Sequence, residues 1–340
     1  MEKVVVAYSG GLDTSYCVKY LQNELNLEVH SVLVNTGGFS SEELKVVEAK
    51  AYDMGVKSHT NQNILDIYYD KAIKYMVYGN VLKNNTYPLS VSAERVFQAI
   101  EVVEYAKKIN AKYIAHGSTG AGNDQVRFDM IFQTLAPNIE IITPIRDLKL
   151  SRQEEIEYLE KNGVDFPWSK AKYSINKGIW GTSVGGVETL NSHQALPESA
   201  YPSQLEKTEP TDIKLHFEKG QIVGLNDEMD TPVNTILKLE AIASKYAIGR
   251  DIHVGDTIVG IKGRVGFEAA AATVIIKAHH LLEKHVLSKW QQNLKEGLGS
   301  TYGMLLHDGQ CFEPAMRDLE AYLTNSQKTV TGEVFITLKP

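Results

Sequence analysis

Apolar residues along the first half of this chain switch repeatedly between two spacings. Val4–Tyr8 is a short, nearly continuous apolar run, the pattern of a strand buried on both faces. Ser15–Asn26 then spaces its apolar residues as one face of a helix. Glu28–Val34 predicts a second strand that closes at Asn35-Thr-Gly-Gly38. Ser41–Gly55 predicts a helix, with Ser41 as its cap and acids in its first turn. Further on, Ser92–Ile109 reads as a helix, Tyr113–His116 as a short strand, and Ile139–Ile142 as another before Pro144. Strands alternating with helices predict a parallel sheet covered on both faces, with ligands at the carboxyl ends of its strands. Ser9, Asn35 and His116 each follow a strand, so their loops are expected to converge there.

The texture changes around residues 163 to 185, where Gly163–Trp168 and Asn176–Gly186 are rich in Gly, Trp and Ser without clear period. Ile213–Leu225 alternates like a hairpin turning at Glu218-Lys-Gly220. Thr235–Tyr246 and Thr273–Leu294 read as helices, separated by Asp251–Ala269, a stretch of β-branched residues and Gly. Glu313–Ser326 is a last helix and Val330–Leu338 a last strand. The expected class is α/β. A parallel-sheet nucleotide-binding domain over 1–168 would be followed by an α+β domain over 169–340.

Composition adds bounds. A chain of 340 residues, 43% hydrophobic and 23% charged, is long enough for two domains with substantial cores. Its net charge of −7 weighs against a broad surface for nucleic-acid phosphates. Cys17 and Cys311 belong to no paired motif and read as reduced, buried thiols, with a bridge between them the alternative. No secretion signal is visible at Met1-Glu2-Lys3, and no apolar run nears the roughly 20 residues that span a bilayer. A soluble, cytoplasmic protein without membrane or nucleic-acid partners is expected.

The chemistry concentrates in two loops. In Val4–Ser15 an apolar run ends in Ser9-Gly10-Gly11, and a helix opens with Asp13, Thr14 and Ser15. Two adjacent glycines let main-chain N–H groups approach an anion, and the helix adds its positive end. The hydroxyls of Ser9, Thr14 and Ser15 add donors, and Asp13 could orient Mg2+ or cap the helix. No Gly-Lys-Ser/Thr follows, so this is not a Walker loop. The pattern resembles the pyrophosphate-binding loop of enzymes that split ATP into AMP and pyrophosphate. The second loop, His116–Phe128, sets three glycines among Thr119, Asn123, Asp124 and Arg127. It offers N–H groups to phosphate, a carboxylate to an ammonium and a guanidinium to a carboxylate. Ala278–His285 collects three histidines without metal-binding spacing, and reads as a solvated helix face. Trp180 reads as packing, and Lys170, Lys172 and Lys177 as a solvated basic cluster.

These two loops, together with Tyr87-Pro-Leu-Ser-Val-Ser92 and Tyr173-Ser174…Thr182-Ser183, resemble the argininosuccinate synthase family over residues 4 to about 339. The resemblance implies an adenine nucleotide alpha-hydrolase-like first domain and a synthetase domain. It implies a ligase that joins citrulline to aspartate in arginine biosynthesis, with ATP as co-substrate and Mg2+. The citrulline ureido oxygen would attack the α-phosphorus, and the aspartate amine would then displace AMP. By the same resemblance Ala7, Tyr8, Ser9, Gly10, Gly11, Leu12, Asp13, Thr14, Ser15, Val34 and Gly117 bind ATP. Thr119, Asn123 and Asp124 bind aspartate. Tyr87, Ser92, Asn123, Arg127, Ser174 and Ser183 bind citrulline. Asp13, Asp124 and Arg127 are the candidate catalytic residues, and no protein side chains form a metal site of their own.

Two departures stand out. The family places a Glu and a Tyr on citrulline where this chain has Gly255 and Phe267; their neighbours Asp256 and Glu268 are candidate replacements. Family members also run some tens of residues further, into an arm that clasps neighbouring subunits. This chain stops at Pro340, as a truncated or a short variant would, so a homo-oligomer is expected and the family's tetramer is the weaker inference. Two rival classes remain: an RNA-modifying adenylating enzyme, for which paired cysteines and a basic surface are missing, and a nucleotide-binding relative without turnover.

Overall fold

A computed structural model describes residues 1–164 and 173–340. Lys170, Lys172 and the stretch 165–168 lie outside the described residues. The chain groups into two compact units, Met1–Ile64 with Glu94–Ala171, and Leu65–Ala93 with Lys172–Pro340.

In the first unit the strands are β1 (Lys3–Ala7), β2 (Glu28–Asn35), β3 (Ser58–Asn63), β4 (Tyr113–Ala115) and β5 (Glu140–Ile142). They form a parallel sheet in the order β3-β2-β1-β4-β5. The chain leaves β1 toward β2 on one side, while β4 pairs with its other side. The crevice at the carboxyl end of β1 is therefore the topological switch point where such sheets take ligands. Val4 and Val6 join Leu12, Tyr16, Val18 and Leu21 of the Leu12–Asn23 helix, and Val47 and Ala51 of the Ser41–Asp53 helix, in one buried cluster. The Glu94–Lys108 helix packs on β1, β2 and β4 and against the Asp124–Leu135 helix.

Local chemistry moves several predicted boundaries. The second helix is capped by Ser40, not Ser41: Ser40 accepts from Glu43 N, and the Glu43 carboxylate returns to Ser40 N in a capping box. Ser151 and Glu154 start the Arg152–Lys161 helix in the same way.

In the second unit a helical stretch runs through Leu65–Tyr68, Tyr69–Ile73 and Lys74–Tyr78. The strands are β6 (Ser174–Gly178), β7 (Gly181–Gly185), β8 (Thr211–Glu218), β9 (Gln221–Leu225), β10 (Glu228–Met229), β11 (Arg250–Asp256), β12 (Lys262–Glu268) and β13 (Gly332–Leu338). They build two antiparallel sheets, β10-β9-β8-β13 and β11-β12-β7-β6. The aperiodic stretch near 176–186 is thus the β6–β7 hairpin, and Asp251–Ala269 holds the β11–β12 hairpin.

The helix expected over Thr273–Leu294 is two helices, Ala270–Val286 and Lys289–His307, because Ser288 opens a third capping box with Gln291. The solvated reading of the three histidines fails for His279. It is fully buried, bonded to Asn80 at 2.7 Å and Gln327 at 2.8 Å, while His280 and His285 are exposed. Beside it, Lys295 lies 3.0 Å from the buried Glu283 and donates to the Tyr78 carbonyl at 2.6 Å. Trp180 is buried, and its Nε1 donates to the Pro88 carbonyl at 2.9 Å. Cys17 and Cys311 are free, buried thiols.

Candidate active site

The first unit builds its candidate site from the loop after β1. Gly10 holds a φ of +75°, a backbone closed to most side chains. Gly11 caps the Leu12–Asn23 helix in extended geometry with no side-chain bond. The first-turn N–H groups that follow have no acceptors within the helix, and they sit at its positive end. Ser9 N lies 3.4 Å from Thr14 Oγ1, which also donates to the Gly11 carbonyl at 3.3 Å, so side-chain bonds close the loop on itself. Tyr8, Leu12 and Ser15 are buried and Ala7 half-buried. Of these, Leu12 keeps a first-turn N–H for an anion, whereas Tyr8 N donates to the Val32 carbonyl at 2.9 Å and Ser15 N to the Gly11 carbonyl at 3.0 Å. Val34 is likewise buried within β2, and its carbonyl accepts from Gln98 Nε2 at 3.4 Å.

The loop after β4 presses on this nest. A Cβ at Gly117 would meet the Cβ and carbonyl carbon of Asp13, each at 3.2 Å. A side chain there would require the two loops to give by a few tenths of an ångström. Asp13 stands beside Glu155 of the Arg152–Lys161 helix, close enough for the two carboxyls to act on each other. Burial raises both carboxyls, and the like charge of Asp13 raises Glu155 further, with Arg152 opposing. Glu155 Oε2 is buried with no hydrogen-bond partner among the described residues.

The glycine loop itself is tied down from behind. The buried His116 bonds Asp129 at 3.0 Å and accepts from Ser118 N at 3.2 Å, while Asp129 pairs with Arg146 at 2.6 Å. Gln125 holds the Gly120 carbonyl at 2.6 Å. Thr119 is exposed and Asn123 half-buried. Asp124 opens the Asp124–Leu135 helix and receives Arg127 at 2.9 Å and Arg95 at 3.1 Å. Burial works against its charge, but the two guanidiniums outweigh that and hold its carboxyl below the usual range. Glu94, fully buried beside Arg95, is pushed up to about 7 by burial, with Asp124 adding to the rise. Glu94, Arg95, Glu155, Asp129 and Arg146 were not singled out from sequence. For Glu155 a signal existed: it stands four residues before the buried Leu159 on the helix's inward stripe.

In the second unit, strand register gathers most of the remaining candidates. Phe267 pairs with Ser183, Ser183 with Asn176, and Ser174 with Gly185. Residues paired across a sheet share a face, as do alternate residues along a strand. Ser174, Ser183 and Phe267 therefore lie on one face of β11-β12-β7-β6, with His253 and Gly255. Tyr87 covers that face, its ring 5.0 Å from His253 and 5.2 Å from Phe267. Ser92 is buried with no partner for its hydroxyl among the described residues.

The same register rules out both proposed replacements. Glu268 and Asp256 point to the opposite face. Glu268 is paired there with Arg250 at 2.8 Å, and Asp256 with Lys262 at 2.6 Å. His253 was missed, though its period-two spacing to Gly255 on a β-rich stretch was visible.

Among the described residues no group of three or more His, Cys, Asp or Glu side chains could hold a metal ion, and no helix is long and apolar enough to cross a membrane.

Comparison with known proteins agrees along the whole chain. Residues 3–165 match the family described as the arginosuccinate synthase N-terminal HUP domain, and residues 173–339 the arginosuccinate synthase C-terminal domain. The chain is 39% identical over 342 residues to argininosuccinate synthase of Methanocaldococcus jannaschii, covering 99% of this chain and 86% of that protein. It is 40% identical over 341 residues to the enzyme of Dictyoglomus turgidum, covering 100% and 85%. For the Pyrococcus furiosus enzyme the figures are 39% over 344 residues, 99% and 82%.

Proposed function

We propose, for a chain that belongs to the argininosuccinate synthase family, how its residues carry the ATP-dependent ligation of citrulline to aspartate in arginine biosynthesis. One observation carries the proposal: a glycine nest opens at the positive end of the Leu12–Asn23 helix, at the switch point of a parallel sheet, with Gly117 locked against Asp13.

The main-chain N–H groups of residues 10–14 grip the β- and γ-phosphates and stabilise pyrophosphate as it leaves. Gly117 approaches from the adenosine side, and Val34 lines the nucleotide through its backbone. The citrulline ureido oxygen attacks the α-phosphorus. That makes citrulline-adenylate, turning a poor electrophile into one with a good leaving group. The aspartate amine then attacks the ureido carbon and AMP departs, with no covalent enzyme intermediate. Mg2+, when bound, would supply positive charge to the triphosphate. Asp13 and Glu155, two carboxyls kept close together at the base of the loop, are the side chains that would hold it.

Asp124 keeps Arg127 fixed and turns its exposed edge to the aspartate ammonium, with Thr119 and Asn123 beside it. Citrulline falls to Arg127 and Asn123, whose donors suit its carboxylate, and to Tyr87, Ser92, Ser174 and Ser183. A cytoplasmic homo-oligomer belongs to the same reading, and light scattering tests the assembly.

The chemical test uses citrulline labelled with 18O in its ureido group. Citrulline-dependent pyrophosphate release with the label recovered in AMP is expected. Pyrophosphate release with unlabelled AMP would overturn the adenylate route.

A further inference from the structure

We propose that the ureido substrate this chain prefers carries its α-nitrogen as an amide, acylated, and not as a free ammonium. This rests on the ligase reading above and specifies the substrate at the same face of the second unit.

The face formed by β11, β12, β7 and β6 presents hydroxyls, an aromatic ring, an imidazole and a glycine: Ser174, Ser183, Phe267, His253 and Gly255, under Tyr87. An ammonium brought onto it needs a carboxylate, since a buried charge without a partner is strongly disfavoured. Among the described residues, strand register puts one carboxylate on this face, Asp251. It stands four residues from Gly255, about 13 Å along the strand. It is also exposed, with Oδ1 accepting from Ile252 N at 2.7 Å. Asp256 and Glu268 face the other way and are engaged by Lys262 and Arg250.

At Gly255 a side chain would have to displace two others. A Cβ there would come within 2.8 Å of His253 Nε2 and 2.9 Å of Asn84 Nδ2, and Asn84 is itself held on the Val254 carbonyl. The imidazole has taken the space a side chain at 255 would use.

His253 is suited to something other than a cation. Burial, helped by the charge of Lys83, keeps the ring neutral at ordinary pH. The same lysine, whose Nζ lies 3.4 Å from the Asp256 carbonyl and 3.0 Å from His307, repels an ammonium brought close. His253 Nδ1 is buried with no hydrogen-bond partner among the described residues. A neutral imidazole offers one donor and one acceptor, and an amide offers the complementary pair. An ammonium can only donate, and it brings a charge that nothing here balances.

The test compares citrulline with Nα-acetylcitrulline in pyrophosphate release, at fixed MgATP and aspartate. A kcat/KM at least tenfold higher for the acetylated substrate is expected. Equal values, or a preference for citrulline, would overturn the inference while leaving the ligase reading standing. No pyrophosphate from either substrate would overturn the ligase reading and this inference with it. His253→Leu, checked for an unchanged melting curve, is expected to collapse the ratio toward one; a ratio that survives would remove His253 from the argument. The double variant Gly255→Glu with His253→Ala supplies the missing carboxylate in vacated space and is expected to reverse the preference toward citrulline.

Discussion

Asp124→Asn keeps the shape of the side chain and removes the charge that Arg127 and Arg95 share. Arg127 is only 3% exposed and Arg95 15%, whereas the Asp124 carboxylate is 40% exposed. Taking one partner from a fully buried pair costs about 3–5 kcal/mol, and an exposed pair contributes at most about 1 kcal/mol. With one side buried and the other partly wet, solvent screening places this case near 2 kcal/mol. At a urea slope of about 2 kcal/mol per molar, the first unit's unfolding midpoint falls by about 1 M.

The kinetic consequence is separable. A hydrogen bond to a charged group is worth about 1.5–3 kcal/mol, so kcat/KM for aspartate falls about ten- to a hundredfold. Citrulline, bound through the loosened Arg127, weakens in the same direction. The KM for ATP stays within about twofold, a negligible energy on this scale, because the nest is held by Gly10, Gly11 and Gly117 and not by Asp124. Urea titration and initial rates with each substrate varied in turn give all of these values. A rise in the ATP KM that parallels the aspartate effect, or an unchanged unfolding midpoint, would refute the assignment.

Gly117→Ala drives a methyl onto Asp13, where contacts of 3.2 Å leave no slack, so the ATP KM rises at least about tenfold, roughly 1.4 kcal/mol of lost binding; unchanged nucleotide binding by calorimetry would count against the close-approach argument. Glu94 keeps its proton up to about pH 7 in the fold but ordinarily loses it near 4.5. The folded state thus binds the extra proton, and wild-type stability relative to Glu94→Gln falls by about 3 kcal/mol as pH climbs through that window; parallel stability curves for the two proteins would refute it. Lys295→Met strands Glu283 in the interior of the second unit and costs about 3–5 kcal/mol, part of which Glu283→Gln restores; thermal unfolding of the single and double variants measures both steps.

What could be read along the chain is what depends on neighbours in sequence. The apolar run at Val4–Tyr8, the Ser9-Gly10-Gly11 turn and the helix after it are local, so the strand–turn–helix unit was legible. So were the hairpin at Lys219-Gly220 and the helix-end signals, apart from shifts such as Ser40 for Ser41, where two adjacent serines compete for one cap. The short strand Ser58–Asn63 was not legible, because a polar edge strand carries no apolar period. Grouping Leu65–Ala93 with residues beyond 172 was also invisible, since that depends on contacts between segments far apart.

The site divides along the same line. Residue types in the two glycine loops marked them as the candidate site. Packing between distant elements alone set Glu155 under Asp13 and placed Arg95 opposite Arg127 on one carboxylate. It also turned Glu268 and Asp256 away from the face that holds Gly255. A one-residue step along a strand reverses the face of a side chain, so proximity in sequence to a functional position says nothing about access to it. That fact removes two acids adjacent in sequence to Gly255 and Phe267 and brings His253, two residues before Gly255, onto the same face.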